Sequence, residues 1–192
     1  VWKRRQPVYY EDFMASEPAR IEHWDYKLEA WPAFREARPN AAHRAITRLS
    51  EAGRLRACVT QNIDGLHEKA GTPREKIVEL HGTNAWVQCQ SCGALSEPEA
   101  HFTAFAKTRQ PPVCPDCGGF LKPATISFGQ ALDPATIAAA QDAAGGCDLC
   151  VALGSTLAVY PAAAIPLRAA ERGVPYIIVN RGPTEQDGLA DV

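Results

Sequence analysis

"RLRACVTQNID", residues 54 to 64, runs as an apolar-leaning segment into a hydroxyl, two amides and a carboxylate. Arg54 to Val59 reads as a strand that continues to Thr60, bounded by polar turn-forming residues. Burial gives no reason to end a strand on Thr60, Gln61, Asn62 and Asp64, so these side chains belong to a turn or to a ligand pocket. Upstream, Asn40 can cap a helix on which Ala42, Ala45, Ile46 and Leu49 share a face and which Gly53 stops. Downstream, a loop with Gly65, Gly71 and Pro73 leads to "IVELHG", residues 77 to 82, a second strand-like run ending at a histidine.

Further out the character changes twice. Residues 8 to 38 read as short helices carrying Tyr9, Tyr10, Phe13, Trp24, Tyr26, Trp31 and Phe34, the makings of a small helical core. Residues 86 to 120 turn to Cys, Gly and Pro around a short helix near Pro98 to Lys107, which marks an inserted module. From Leu121 a strand "ATISF", a helix from Pro134 to Ala144, a strand "DLCVAL", a helix from about Pro161 to Arg172 and a strand "VPYIIV" follow in turn. Strands alternating with helices predict an α/β fold with a parallel sheet, whose sites lie at the carboxyl ends of its strands. The expected division is 1–38 for the helical part, 39–85 and 121–192 for the two parts of the sheet domain, and 86–120 for the insertion.

Three strand ends carry small polar residues: Gln61 and Asn62, then Gly154, Ser155 and Thr156, then Asn180. Amides and hydroxyls there suit ribose hydroxyls, carboxamides and phosphate oxygens. A helix starting soon after Thr156 would add free N–H groups for a phosphate. Ordinary turn and cap chemistry explains any one of these ends, but less readily all three.

The net charge of −2 and a pI near 6.2 leave no electrostatic footprint for nucleic acid, with Lys3-Arg4-Arg5 the one basic cluster. No basic segment followed by an apolar run marks a secretory signal, which makes the cytosol the expected compartment. Asp148 to Leu167 approaches the length of a membrane span, but Gly154, Pro161 and Pro166 favour a strand, a turn and a helix, so no membrane partner is expected.

Seven cysteines form three C-x-x-C pairs and one remainder, Cys58. Cys89/Cys92 and Cys114/Cys117 sit in "VQCQSCG" and "PVCPDCGG", two knuckles that can offer four thiolates to one tetrahedral zinc ion. Four thiolates close the coordination sphere, so such a zinc is structural. Cys147 and Cys150 copy the spacing inside a strand approach, where Cys150 reads as a small apolar residue.

The ordered set "TQNIDGLHEKAG", "ELHG", the paired cysteines, "LKPATISFGQ", "LGSTLAVYP" and "IIVN" resembles the sirtuins, NAD-dependent protein deacylases, from about Pro39 to Asn180. The resemblance implies a Rossmann-like domain, a small domain of zinc module plus helices, and a cleft between them. By this resemblance Gln61 and Asn62 face the nicotinamide ribose, Asp64 holds the carboxamide, Ile63 lies against the ring, and Asn180 binds the adenosine ribose. Gly154, Ser155 and Thr156 match the family's Gly-Thr-Ser with the hydroxyl residues exchanged. His81 matches the general base, and an imidazole with an ordinary pKa of about 6.5 suits that work near neutral pH. His23, His43, His67 and His101 are expected in surface or capping roles. Ile126 and Phe128 match the segment where an acyl-lysine peptide adds as a strand, and Gln130 replaces the family's usual Glu.

The implied reaction begins with attack of the acyl-lysine carbonyl oxygen on the anomeric carbon of the nicotinamide ribose, releasing nicotinamide and forming an imidate. His81 then activates the 2′-hydroxyl, and water completes transfer to O-acyl-ADP-ribose and free lysine. The family's Gly-Ala-Gly phosphate loop and Asp-Phe-Arg segment are expected before Val1, which makes this sequence a fragment with weak NAD binding of its own. Residues 26 to 29 read Tyr-Lys-Leu-Glu and lack the Tyr-x-x-Arg pair of relatives that prefer acidic acyl chains, so neutral acyl groups are expected. ADP-ribosyl transfer to protein, or a non-catalytic module that binds ADP-ribose or protein, are the alternative readings; a retained His81 and Asp64 speak against the second.

Overall fold

The computed structural model describes residues 6 to 192; Val1, Trp2 and the Lys3-Arg4-Arg5 cluster lie outside the described residues. Helices α1 (Tyr10–Ala15) and α2 (Glu17–Glu36) come first, α2 opening on Ser16, whose side chain accepts the Ala19 N–H, and running through Pro32. Helix α3 (Ala41–Glu51) starts as its sequence directs. Asn40 Oδ1 accepts the Ala42 and His43 N–H groups, and the His43 side chain accepts the Asn40 N–H in return. His43 is thus a capping residue.

Strand β1 (Cys58–Thr60), helix α4 (Leu66–Lys69) and strand β2 (Ile77–Glu79) follow, with β1 and β2 parallel and Thr60 opposite Glu79. The stretch "IVELHG" is divided: β2 stops at Glu79, Leu80 and His81 turn, and Gly82 opens strand β3 (Gly82–Cys89). Strand β4 (Leu95–Ser96), helix α5 (Pro98–Thr108) and strand β5 (Leu121–Thr125) complete an antiparallel sheet in the order β4-β3-β5. Helix α6 (Pro134–Gly145), strand β6 (Cys150–Leu153), helix α7 (Ala164–Ala170) and strand β7 (Tyr176–Val179) follow, with β6 and β7 parallel.

The fold is α/β with parallel strands, and among the described residues these form two separate two-stranded pairs. One expected strand is placed differently. "ATISF" was to resume the parallel sheet, but the strand ends at Thr125 and pairs antiparallel with β3. Packing decides this: Leu121 and Lys122 are buried, and the Trp24 indole N–H of α2 donates to the Leu121 carbonyl at 3.1 Å. Alternating strand and helix order cannot reveal that a strand folds back on its own insertion.

Two apolar clusters result. Phe13, Trp24, Val87, Phe102, Phe105 and Leu121 join α1 and α2 to the cysteine-bearing module, with the Trp24 ring edge-on to Phe102 at 5.2 Å. His23, expected on the surface or at a cap, is 1 % exposed in this cluster, its ring 5.1 Å from Phe13 and 4.9 Å from Tyr26. The aromatic face of α2 turns inward and takes His23 with it. Leu80, Ala140, Ala144, Ala162 and Ile165 form the second cluster, in which α6 and α7 cover Val59 and Val78 of the first parallel pair. Among the described residues no helix is long and apolar enough to cross a membrane; residues 148 to 167 hold β6, a turn and the start of α7.

Candidate active site and metal centre

The parallel pairing of β1 and β2 sets Gln61 beside His81. The ladder continues one step past the strands, with the Leu80 N–H on the Thr60 carbonyl at 2.9 Å, and the His81 ring then reaches the Gln61 carbonyl, Nδ1 to O 3.1 Å. A carbonyl oxygen only accepts, so Nδ1 donates, and in the neutral ring Nε2 is the nitrogen with the free lone pair. That is the tautomer of a general base. On the other side the Ile126 N–H donates to the His81 carbonyl at 2.9 Å, which ties the end of β5 to the histidine. Gly82 makes this crossing possible: a Cβ there would stand 2.1 Å from the Ala124 carbonyl oxygen, and its φ is +69°.

The polar strand ends meet in part. Gln61 Nε2 lies 3.4 Å from Ser155 Oγ across 94 residues of chain, and the Gly154 N–H donates to Val179, next to Asn180, at 2.9 Å. Gly154 has φ +62° and open space on its Cβ side. Asn62 and Thr156 are exposed, and their side chains make no hydrogen bond among the described residues. Asn180 is exposed, with Nδ2 on the Gly182 carbonyl at 2.9 Å. Ile63 is half-buried, its carbonyl accepting the Asn84 N–H at 2.9 Å. Asp64 has a structural duty as well, since Oδ1 accepts the Leu66 N–H at 2.9 Å and steadies the start of α4. The helix expected from about Pro161 begins at Ala164, so its N-terminus does not directly follow the Ser155 and Thr156 hydroxyls. The intervening chain is turn, with Leu157 at φ +57° and its N–H on Ser155 Oγ.

Ile126 and Phe128 lie in the loop after β5 rather than in a strand. The Ser127 N–H donates to Gln130 Oε1 and the Gln130 N–H to the Ser127 carbonyl, both at 3.0 Å. The residue that departs from the family pattern therefore closes this turn, through an acceptor that a carboxylate also offers. Among the described residues the Ile126 carbonyl and the Phe128 N–H have no backbone partner, while the Phe128 carbonyl accepts the Tyr10 N–H at 2.9 Å. Phe128 is exposed against Tyr9, ring centroids 6.1 Å apart.

Cys89, Cys92, Cys114 and Cys117 bring four Sγ atoms within 4.8 Å of one another, with Cys89 to Cys117 at 3.5 Å and Cys92 to Cys114 at 3.8 Å. A tetrahedral zinc with bonds of about 2.3 Å needs sulfur separations of roughly 3.8 Å, so the set fits one structural Zn²⁺. The thiols themselves call for a cation. The Cys92 and Ser91 N–H groups pull Cys89 down to about 6. The Gly119 N–H favours the Cys117 thiolate too, yet hydrogen bonding with Cys89 and Cys92 drives that thiol up to about 12. Without a metal, one thiolate in this space suppresses the next. Cys147 and Cys150 join no such group among the described residues.

Lys27, Asn84, Lys122 and Thr125, which sequence order does not single out as a group, form a buried polar cluster between α2, β3 and β5. The only signal was Lys122, a lysine inside an apolar strand. His101 bonds Ser96 Oγ at 2.8 Å through Nε2, and the His67 ring lies 4.7 Å from that of His43.

The sequence model of the Sir2 family matches residues 2–161. An NAD-dependent protein deacetylase of Rhodopseudomonas palustris is 40% identical over 192 residues, all of this chain and 76% of that protein. NAD-dependent protein deacetylase 2 of Streptomyces coelicolor is 38% identical over 195 residues, all of this chain and 80% of that one. Among solved structures, a Sir2 bound to an acetylated peptide superposes with a TM-score of 0.87 at 33% identity, over 96% of this chain and 75% of the other. A Sir2 with a p53 peptide and NAD⁺ gives 0.86 at 33% identity, over 97% and 78%. Sequence and fold agree across nearly the whole chain, and it belongs to the Sir2 family, the sirtuins.

Proposed function

We infer that the protein is an NAD-dependent protein lysine deacetylase, acting on acyl-lysine peptides and holding one structural zinc. The observation that carries this is the His81 imidazole, held by a main-chain carbonyl in the base tautomer where β1, β2 and the β5 loop meet. NAD supplies an anomeric carbon made electrophilic by its nicotinamide leaving group. Gln61 and Asn62 hold the nicotinamide ribose, Ile63 packs on the ring, and the unused Asp64 oxygen takes the carboxamide. Gly154, Ser155 and Thr156 face the phosphates, and Asn180 the adenosine ribose. The Gln61–Ser155 contact, at the long limit of a hydrogen bond, is one a ligand can replace at little cost. Ile126 and Phe128 pair with the peptide backbone and lead the acyl group toward His81, whose Nε2 takes a proton from a ribose hydroxyl.

The acyl group is thereby transferred from lysine to ADP-ribose rather than to water directly. The small domain in this reading is α1 and α2 with the cysteine module, and the cleft runs between it and the parallel strands. The cytosol is the compartment we propose, because a four-thiolate metal site suits a reducing milieu.

The complete gene product, incubated with NAD and an acetyl-lysine peptide, is expected to release nicotinamide only when the peptide is present. His81→Ala should lower that turnover by about 10²- to 10⁴-fold while the melting temperature holds. Peptide-independent nicotinamide release, or near-normal turnover by the variant, would refute the assignment.

A further inference from the structure

Thr60 ends β1, is 8 % exposed, and is engaged twice. Its carbonyl accepts the Leu80 N–H at 2.9 Å, and its Oγ1 accepts the Asn62 N–H at 3.0 Å. That N–H belongs to the peptide unit joining Gln61 to Asn62, and the carbonyl of the same unit meets His81 Nδ1 at 3.1 Å. One planar group therefore carries the hydroxyl's contact on its nitrogen and the imidazole's contact on its oxygen.

A strand that simply continued would not produce this. Carbonyls alternate in direction along a strand, so with the Thr60 carbonyl turned to β2, that of Gln61 would point away from β2. The Asn62 N–H would then point back toward β2, for the next bond of the ladder. Instead Thr60 Oγ1 takes the Asn62 N–H, a local turn that competes with the ladder, and the Gln61 carbonyl faces the residue that follows Leu80. Because the peptide is planar and trans, its plane cannot rotate about the flanking bonds without breaking the hydroxyl contact. A rotation that took the carbonyl from His81 would leave Nδ1 without its acceptor. The neutral ring could then move its proton to Nε2, the nitrogen that must receive one from the ribose.

We propose that Thr60 is a positioning residue for His81: its hydroxyl locks the 61–62 peptide, and that peptide keeps the ring in the one tautomer able to remove a proton. This rests on the deacylase reading above and deepens it. Few side chains suit the task. Serine keeps the acceptor, whereas valine keeps the branched shape and loses it.

The test uses the full-length protein and nitrogen NMR of its histidines at about pH 8.5, where an ordinary imidazole is neutral. The His81 signals, identified by their loss in His81→Ala, should report the Nδ1–H tautomer in the wild type. The Asn62 amide, although its residue is exposed, should be protected from hydrogen exchange. Thr60→Val should mix the tautomers and lower kcat with NAD and an acetyl-lysine peptide by about tenfold to 10²-fold, while KM for the peptide changes little. Thr60→Ser should restore both tautomer and kcat. Loss of packing alone would not move the proton between ring nitrogens. A wild-type ring protonated at Nε2 or a freely exchanging Asn62 amide overturns the proposal, and both are read in the unaltered protein even where a variant does not fold. Unchanged kcat or an unchanged tautomer in Thr60→Val, or a Thr60→Ser enzyme that behaves like Thr60→Val, overturns it as well. A wild type with the expected tautomer and protected amide that turns over no acyl peptide refutes the deacylase reading alone, and the spectra then still support Thr60 as the residue that holds the ring.

Discussion

The half of the molecule built on α1, α2 and the cysteine module is held by large rings and four thiols; the half built on parallel strands is held by alanines. Trp24, Phe13 and Phe105 are almost completely buried in the first, while the second packs Ala140, Ala144 and Ala162 and leaves Val151, Leu153 and Val179 exposed. Small side chains let helices sit close over short strands but remove little apolar area from water. Aromatic rings and a metal clip do the reverse, making a rigid unit from few residues. Rigidity thus sits on one flank of His81, and open polar strand ends sit on the other.

Stripping the metal should break this contrast most strongly. Structural zinc contributes on the order of 10 kcal/mol in small modules, so a strong chelator or Cys114→Ser should unfold β3 to β5 first. Elemental analysis of the intact protein should find one zinc per chain, and hydrogen exchange after chelation should accelerate there before it does in α6 or α7. If α6 and α7 exchange first, the ranking of the halves is wrong.

Next in size, Trp24→Ala should cost about 3 to 5 kcal/mol, since it opens a cavity against Phe102 and Phe105 and leaves the Leu121 carbonyl without its indole donor. Denaturant titration would read this as a shift in midpoint. Ile165→Val, in the alanine-rich half, should cost only about 1 kcal/mol.

Smaller than the loss of Trp24 is an effect of pH. Lys27 and Lys122 have folded values of about 8 and 7, below their ordinary value of 10.5. The unfolded chain therefore binds more protons between about pH 7 and 10, and stability rises with pH across that window; it is lost again as pH falls through 8 and 7. Zinc thiolates push in the same direction, so the variant is the control. Lys122→Met should remove on the order of 2 kcal/mol of the stability gained between pH 6.5 and 9, seen as a flatter rise of melting temperature with pH. An unchanged slope would mean that Lys122 stays protonated in the fold across this window, as it does in the unfolded chain.

Motifs whose residues act through the main chain or through a fixed spacing were legible in the sequence. The knuckles and the Asn40 cap follow from local order, because each is set by residues two or three positions apart. What depended on distant partners was not legible. β5 reads as another parallel strand until Trp24 and β3 claim it, and His23 reads as a surface residue until α2 is rotated onto the zinc module. Lys27 looks like one more charge on a helix, and only Asn84 and Thr125, 57 and 98 residues away, reveal that it is enclosed. Gln130 shows the opposite case, a departure from the family pattern whose local turn explains itself.

The acceptor that fixes the His81 ring is the backbone oxygen of residue 61, not its side chain. A change of side chain at residue 61 would leave that oxygen, and with it the orientation of the imidazole, where it is. In the proposed function, affinity for the dinucleotide would then drift under mutation while proton removal stays insulated from that drift.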